Sequence, residues 1–84
     1  MENRNHVRLV SAMTVVLYVD GHGRHKGVLQ DVSQGGVAVS LLQRGEDCFN
    51  TGDAIFMLAD NMDEAFTMEI VRVDGDVIGL RFIE

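Results

Sequence analysis

Proline and tryptophan are absent from this chain, and cysteine and tyrosine occur once each among its 84 residues. A lone Cys48 excludes an internal disulfide, leaves the fold to hydrophobic burial, and fits a reducing cytoplasm. No apolar run reaches the 18 residues needed to span a bilayer. Glu2, Arg4, His6 and Arg8 precede every apolar segment, which is not the layout of a secretory signal. There is no internal repeat, no low-complexity stretch, and no helical periodicity over as many as ten residues. Basic residues are also scarce, 7 against 13 acidic, for a net charge of −6. An acidic body repels a phosphate backbone, so binding to long DNA or RNA is disfavoured.

The 46% apolar content is ordinary for a globular protein, and 84 residues make one small domain with a limited core. Short β-type runs are separated by turn signals at the spacing of a barrel or sandwich. Met13 to Val19 is rich in β-branched residues, and Asp20-Gly21-His22-Gly23-Arg24 supplies a hairpin turn. Lys26 to Val32 returns as the second strand, and Gly36 to Leu42 is the third, with Val37, Val39 and Leu41 on one face. Residues 43–52 read as a loop. Asp53 to Ala59 is a fourth strand, and Asp60 to Glu64 an acidic turn. Ala65 to Val73 alternates at Phe66, Met68 and Ile70. Asp74-Gly75-Asp76 signals a further hairpin into Val77 to Ile83, with Ile78, Leu80 and Phe82 inward and Arg81 outward. Six short, mostly antiparallel strands must roll up to cover their edges and their apolar face. The pattern predicts an all-β, six-stranded antiparallel barrel over residues 11–84, preceded by a flexible arm over residues 1–10.

Charge is unevenly spread. Residues 1–30 hold four basic and two acidic groups, a net of +2, whereas residues 45–84 hold ten acidic and two basic groups, a net of −8. Arg4 and Arg8 stand four apart, which in an extended segment puts them on the same side. Arginine pairs bidentately with phosphate and also addresses the Hoogsteen edge of guanine. Local arginines act on a small anion within a Debye length of roughly 8 Å, whatever the total charge. Asp31-Val32-Ser33-Gln34-Gly35-Gly36 is the second concentration of chemistry. Asp31 accepts from N–H donors such as the Watson–Crick edge of guanine, and Ser33 either donates to a phosphate or bonds locally in an ST-turn. Gly35 and Gly36 allow unusual φ and close approach of the backbone to a ligand.

An R-x-x-x-R element, a β-hairpin, then D-x-S-x-x-G resembles the PilZ domain, a bacterial receptor for cyclic di-GMP. Arg4 and Arg8 fill the first motif; Asp31, Ser33 and Gly36 fill the second. Val77-Ile78-Gly79-Leu80-Arg81-Phe82 is similar to the family's closing strand, so the resemblance runs in order along essentially the whole chain. It implies a non-catalytic sensor of cyclic di-GMP with no cofactor, the ligand lying between the N-terminal arm and the turn from strand two to strand three. Gly35 joins the implied site, with Asn3 and His6 as possible additions; Asn3 stands where many members carry a further arginine. Output would pass to a protein partner or a neighbouring domain. Tyr18-Val19-Asp20-Gly21 leading to Gln30-Asp31-Val32-Ser33 further resembles PilZ domains of exopolysaccharide secretion, such as alginate biosynthesis, which would tie the chain to biofilm regulation. The alternative within the same fold is an interaction module that does not bind the nucleotide and docks a basic partner at Asp60, Asp63 and Glu64, or at Asp74 and Asp76.

Catalysis is not expected. Ser33 lies in Val-Ser-Gln-Gly rather than a G-x-S-x-G elbow, and Cys48 has no histidine near it in sequence. His22 and His25 sit three apart beside Asp20 in a glycine-rich turn, where they read as solvated imidazoles. No further cysteine or histidine completes a tetrahedral metal set with them.

Overall fold

The computed structural model describes residues 9–43, 45–60 and 63–83. Six strands form a closed barrel: β1 (Thr14–Val19), β2 (Gly23–Val32), β3 (Gly36–Leu41), β4 (Ala54–Ala59), β5 (Phe66–Asp74) and β6 (Val77–Phe82). Their order around the barrel is β1-β2-β3-β6-β5-β4, and β4 pairs back onto β1, so no strand is left with a free edge. All six pairings are antiparallel. The six strands expected from the sequence are present, with ends shifted by up to three residues. The loop between β3 and β4 differs by holding a single 3₁₀ turn, Glu46–Cys48. Among the described residues no helix is long and apolar enough to cross a membrane.

Period-two alternation explains the interior. Val15, Leu17 and Val19 of β1 are buried, as are Val37, Val39 and Leu41 of β3, while the residues between them face outward. Ile55, Met57, Met68, Ile70, Ile78 and Leu80 complete a core in which no polar side chain is buried among the described residues. Phe49, from the 43–52 loop, is buried in the core and meets the ring of His25 edge-on at 5.3 Å. His25 is therefore a half-buried packing residue rather than a solvated one, and its Nε2 bonds the His22 carbonyl at 3.1 Å.

Two strands break the alternation. In β2 the register with β3 shifts between Leu29 and Asp31; in β5 the register with β6 shifts between Ile70 and Arg72. Each is a β-bulge that inserts one extra residue, Gln30 or Val71, and resets which face the following side chains take. The bulges return Val32 and Val73 to the inner side, opposite Val37 and Ile78. A strict alternation from Leu29 would have turned Asp31 into the core; the bulge turns it outward instead, opposite Ala38.

The chain enters β1 through a turn in which the Met13 amide bonds the Val10 carbonyl and Ala12 takes a left-handed φ of 74°. A non-glycine residue there costs on the order of 1–2 kcal/mol. The strain is held by two bonds to one residue of β2: the Ala12 amide donates to the Leu29 carbonyl (2.7 Å) and the Leu29 amide donates to the Met13 carbonyl (2.8 Å). The N-terminal segment thus joins the barrel beside the bulge that carries Asp31.

Candidate ligand-binding site

The turn between β2 and β3 is three residues long and tied at both ends. Ser33 donates twice to the Gly36 carbonyl, from its amide at 2.9 Å and from its hydroxyl at 3.2 Å. The Gly35 carbonyl accepts from the Phe82 amide of β6 at 3.1 Å. Ser33 therefore makes the local ST-type bond, and its hydroxyl oxygen keeps lone pairs toward solvent for a donor on a ligand.

Neither Gly35 nor Gly36 has the positive φ expected of them; among the described residues that conformation belongs to Gly21, Gly23, Gly52, Gly75 and Ala12. The requirement for glycine at position 36 is steric. A Cβ there would collide with the Leu80 carbonyl oxygen and stand 3.0 Å from the Arg81 Cα. Gly36 lets β3 press against β6 at the mouth of the turn, which is close approach of backbone to backbone rather than to a ligand.

Asp31 is exposed, and its carboxylate has no hydrogen bond or ion pair among the described residues. Cross-strand partners share a face, so register defines what surrounds it. One outward row runs Asp31, Ala38, Gly79, Arg72 across β2, β3, β6 and β5. The next runs Gly36, Arg81, Glu69 across β3, β6 and β5, and there Arg81 forms a salt bridge with Glu69. The result is a shallow trough floored by Gly36, Ala38 and Gly79 and rimmed by charged side chains. The small residues keep this floor low along β3, and at Gly79 side chains of β5 lie against it.

Arg4, Arg8, Asn3 and His6 lie outside the described residues. Asp31, Ser33, Gly35 and Gly36 are brought together at one end of the trough, and Gly79 in its floor and Arg72 on its β5 rim are residues that sequence reasoning did not select. Their signal was present in the broken apolar spacing: Leu29 to Val32, and Ile70 to Val73, are three apart where an unbroken strand gives two or four. Elsewhere, a cavity of about 680 Å³ lies against β1 and β4, lined by Tyr18, Arg24 and Phe56 among others. Asp60, Asp63, Glu64, Asp74 and Asp76 are exposed residues at the turns flanking β5. Cys48 is a half-buried free thiol, and no group of three or more His, Cys, Asp or Glu among the described residues is placed to hold a metal.

A comparison with curated proteins finds no match. The family model of the PilZ domain matches residues 2–84, which includes both motifs and every strand of the barrel. That match covers nearly the whole chain, and with a closed six-stranded barrel that presents D-x-S-x-x-G on its outer rim, the chain belongs to the PilZ domain family, generally a cyclic di-GMP-binding module without catalytic activity.

Proposed function

We propose that this domain binds cyclic di-GMP and acts as a sensor without catalysis. The observation that carries the reading is the outward display of Asp31 by the bulge of β2, beside a turn already fixed by the Ser33 and Phe82 bonds. A site held in place before the ligand arrives loses less entropy on binding. Asp31 accepts from the N1–H and N2–H groups of a guanine, and the Ser33 hydroxyl accepts a further donor or reorients toward a phosphate. Arg4 and Arg8 supply the charge-assisted contacts to phosphate and to guanine O6 and N7. Arg8 precedes Ala12, itself bonded to Leu29, by four residues, a tether of at most about 14 Å that keeps the Asp31 end of the trough within its range. Asn3 and His6 are candidates for additional contacts from the same segment. Closure of the arginine segment over the ligand changes the surface at this end of the barrel, which a protein partner or an adjoining domain then reads.

Titration calorimetry with cyclic di-GMP tests this reading. Wild type releases heat on binding, and Arg8→Ala and Asp31→Ala each lose about 2–5 kcal/mol, or roughly 30-fold and more in Kd. Absence of binding by the wild type would favour the interaction module over the sensor, and Arg8→Ala binding as tightly as wild type would displace the site.

A further inference from the structure

The bulge of β5 does for Arg72 what the bulge of β2 does for Asp31. Without the extra residue Val71, alternation from Ile70 would point Arg72 inward; with it, Arg72 stands opposite Gly79 on the outside. Gly79 faces outward too, yet it is buried. The cover comes from β5: from the position a Cβ would occupy on Gly79, the Arg72 Cβ lies 3.2 Å away, the Val71 Cγ2 3.6 Å and the Arg72 Cζ 3.7 Å. The side chain therefore folds back from β5 over β6 and holds its guanidinium above the middle of the trough. A side chain at position 79 would crowd the Arg72 Cβ at 3.2 Å, whereas its 3.7 Å distance to Cζ is an ordinary contact.

The two arginines of this face are in opposite states. Arg81 is neutralised by Glu69. Arg72 has no ion-pair or hydrogen-bond partner among the described residues. An unpaired guanidinium beside Gly79, with an unpaired carboxylate in the same row across Ala38, frames a floor about two strand spacings wide, roughly 10 Å. That is comparable to one purine hydrogen-bonded at both edges, and the two rims offer what guanine needs. An acceptor stands on one side for N1–H and N2–H, and a forked donor on the other for O6 and N7.

We infer that Arg72 is a specificity-determining ligand contact, reading the O6/N7 edge of the guanine whose Watson–Crick edge is held by Asp31. The inference rests on the cyclic di-GMP reading above and adds a barrel-side arginine to the pair on the N-terminal segment. It assigns the β5 bulge a role: pairing donor and acceptor across a floor of small residues.

The test is calorimetric titration of the full chain and of Arg72→Ala, Arg72→Lys, Arg24→Ala and Asp31→Ala with cyclic di-GMP and with its 7-deazaguanine analogue, which lacks N7. Arg24→Ala removes the same charge from the far end of β2, where Arg24 pairs with Tyr18 of β1. Arg72→Ala is expected to weaken cyclic di-GMP binding about 10- to 100-fold, with Arg72→Lys recovering only part and Arg24→Ala within about twofold of wild type. Wild type should discriminate against the 7-deaza analogue, and that discrimination should shrink in Arg72→Ala. Thermal melting of Arg72→Ala close to wild type would exclude a folding defect as the cause. Arg72→Ala binding within twofold of wild type, or discriminating against the analogue as strongly, would overturn the inference while an Asp31→Ala loss keeps the sensor reading intact. No binding by wild type would remove the sensor reading itself.

Discussion

Over β3 and β6 the outside of the barrel is floored by Gly36, Ala38 and Gly79, whereas over β1 and β4 it carries Val16 beside Leu58 and Tyr18 beside Phe56. Both faces enclose the same interior of alternating apolar residues, so burial does not separate them. The difference lies in what breaks the rule. β1 and β4 pair without a register shift, and their outer side chains are what alternation alone provides. β2 and β5, on either side of β3 and β6, each carry a bulge, and each bulge exposes a charged residue beside a small one. In a domain this small, departures from regular pairing set apart the face on which the proposed site lies, because a bulge sacrifices ladder pairing and re-aims the side chains that follow it.

That contrast can be broken from beneath. Leu80→Ala removes a buried side chain under the trough floor and should cost about 2–5 kcal/mol of stability by denaturant unfolding, enough to endanger both faces. Gly36→Ala strikes only one of them. The added methyl collides with the Leu80 carbonyl, so a loss of about 1–3 kcal/mol is expected, together with amide shifts at Gly35, Phe82 and the Ser33 turn in NMR spectra.

Much of this was legible in the chain. Alternation in Val37, Val39 and Leu41, and in Ile78 and Leu80, predicts strands whose buried residues match those observed, while Phe82, expected inward, is half-buried; Asp74-Gly75-Asp76 closes the expected hairpin. Asp31, Ser33 and Gly36 cluster as their motif implies, although glycine at 36 serves strand approach rather than φ. Arg72 was missed because it depends on pairing. Its row with Asp31 exists only once β5 is set against β6 and β6 against β3, and those contacts join residues far apart in sequence. His25 was misread for the same reason, since the Phe49 ring that covers it arrives from a loop twenty-four residues on.

Smaller effects sharpen the comparison. Ala12→Gly relieves the left-handed strain at the turn anchored on Leu29 and should change stability by no more than about 1 kcal/mol, in the stabilising direction, because glycine's added freedom in the unfolded chain offsets part of the relief. Phe56→Ser, on the β1–β4 side, should shift stability by about 0.5 kcal/mol or less and leave the Kd for cyclic di-GMP unchanged, since Phe56 is already 53% exposed and lies away from the trough. A weakened Kd in Phe56→Ser would erase the functional distinction between the faces.

An NMR titration of the full chain with cyclic di-GMP, set against GMP, tests the central claim most directly. The account predicts amide shifts concentrated at residues 3–9 and 30–37 and at the Arg72–Gly79 pair, with Val16, Tyr18, Phe56 and Leu58 left in place. Shifts centred on β1 and β4, or none at all, would contradict it.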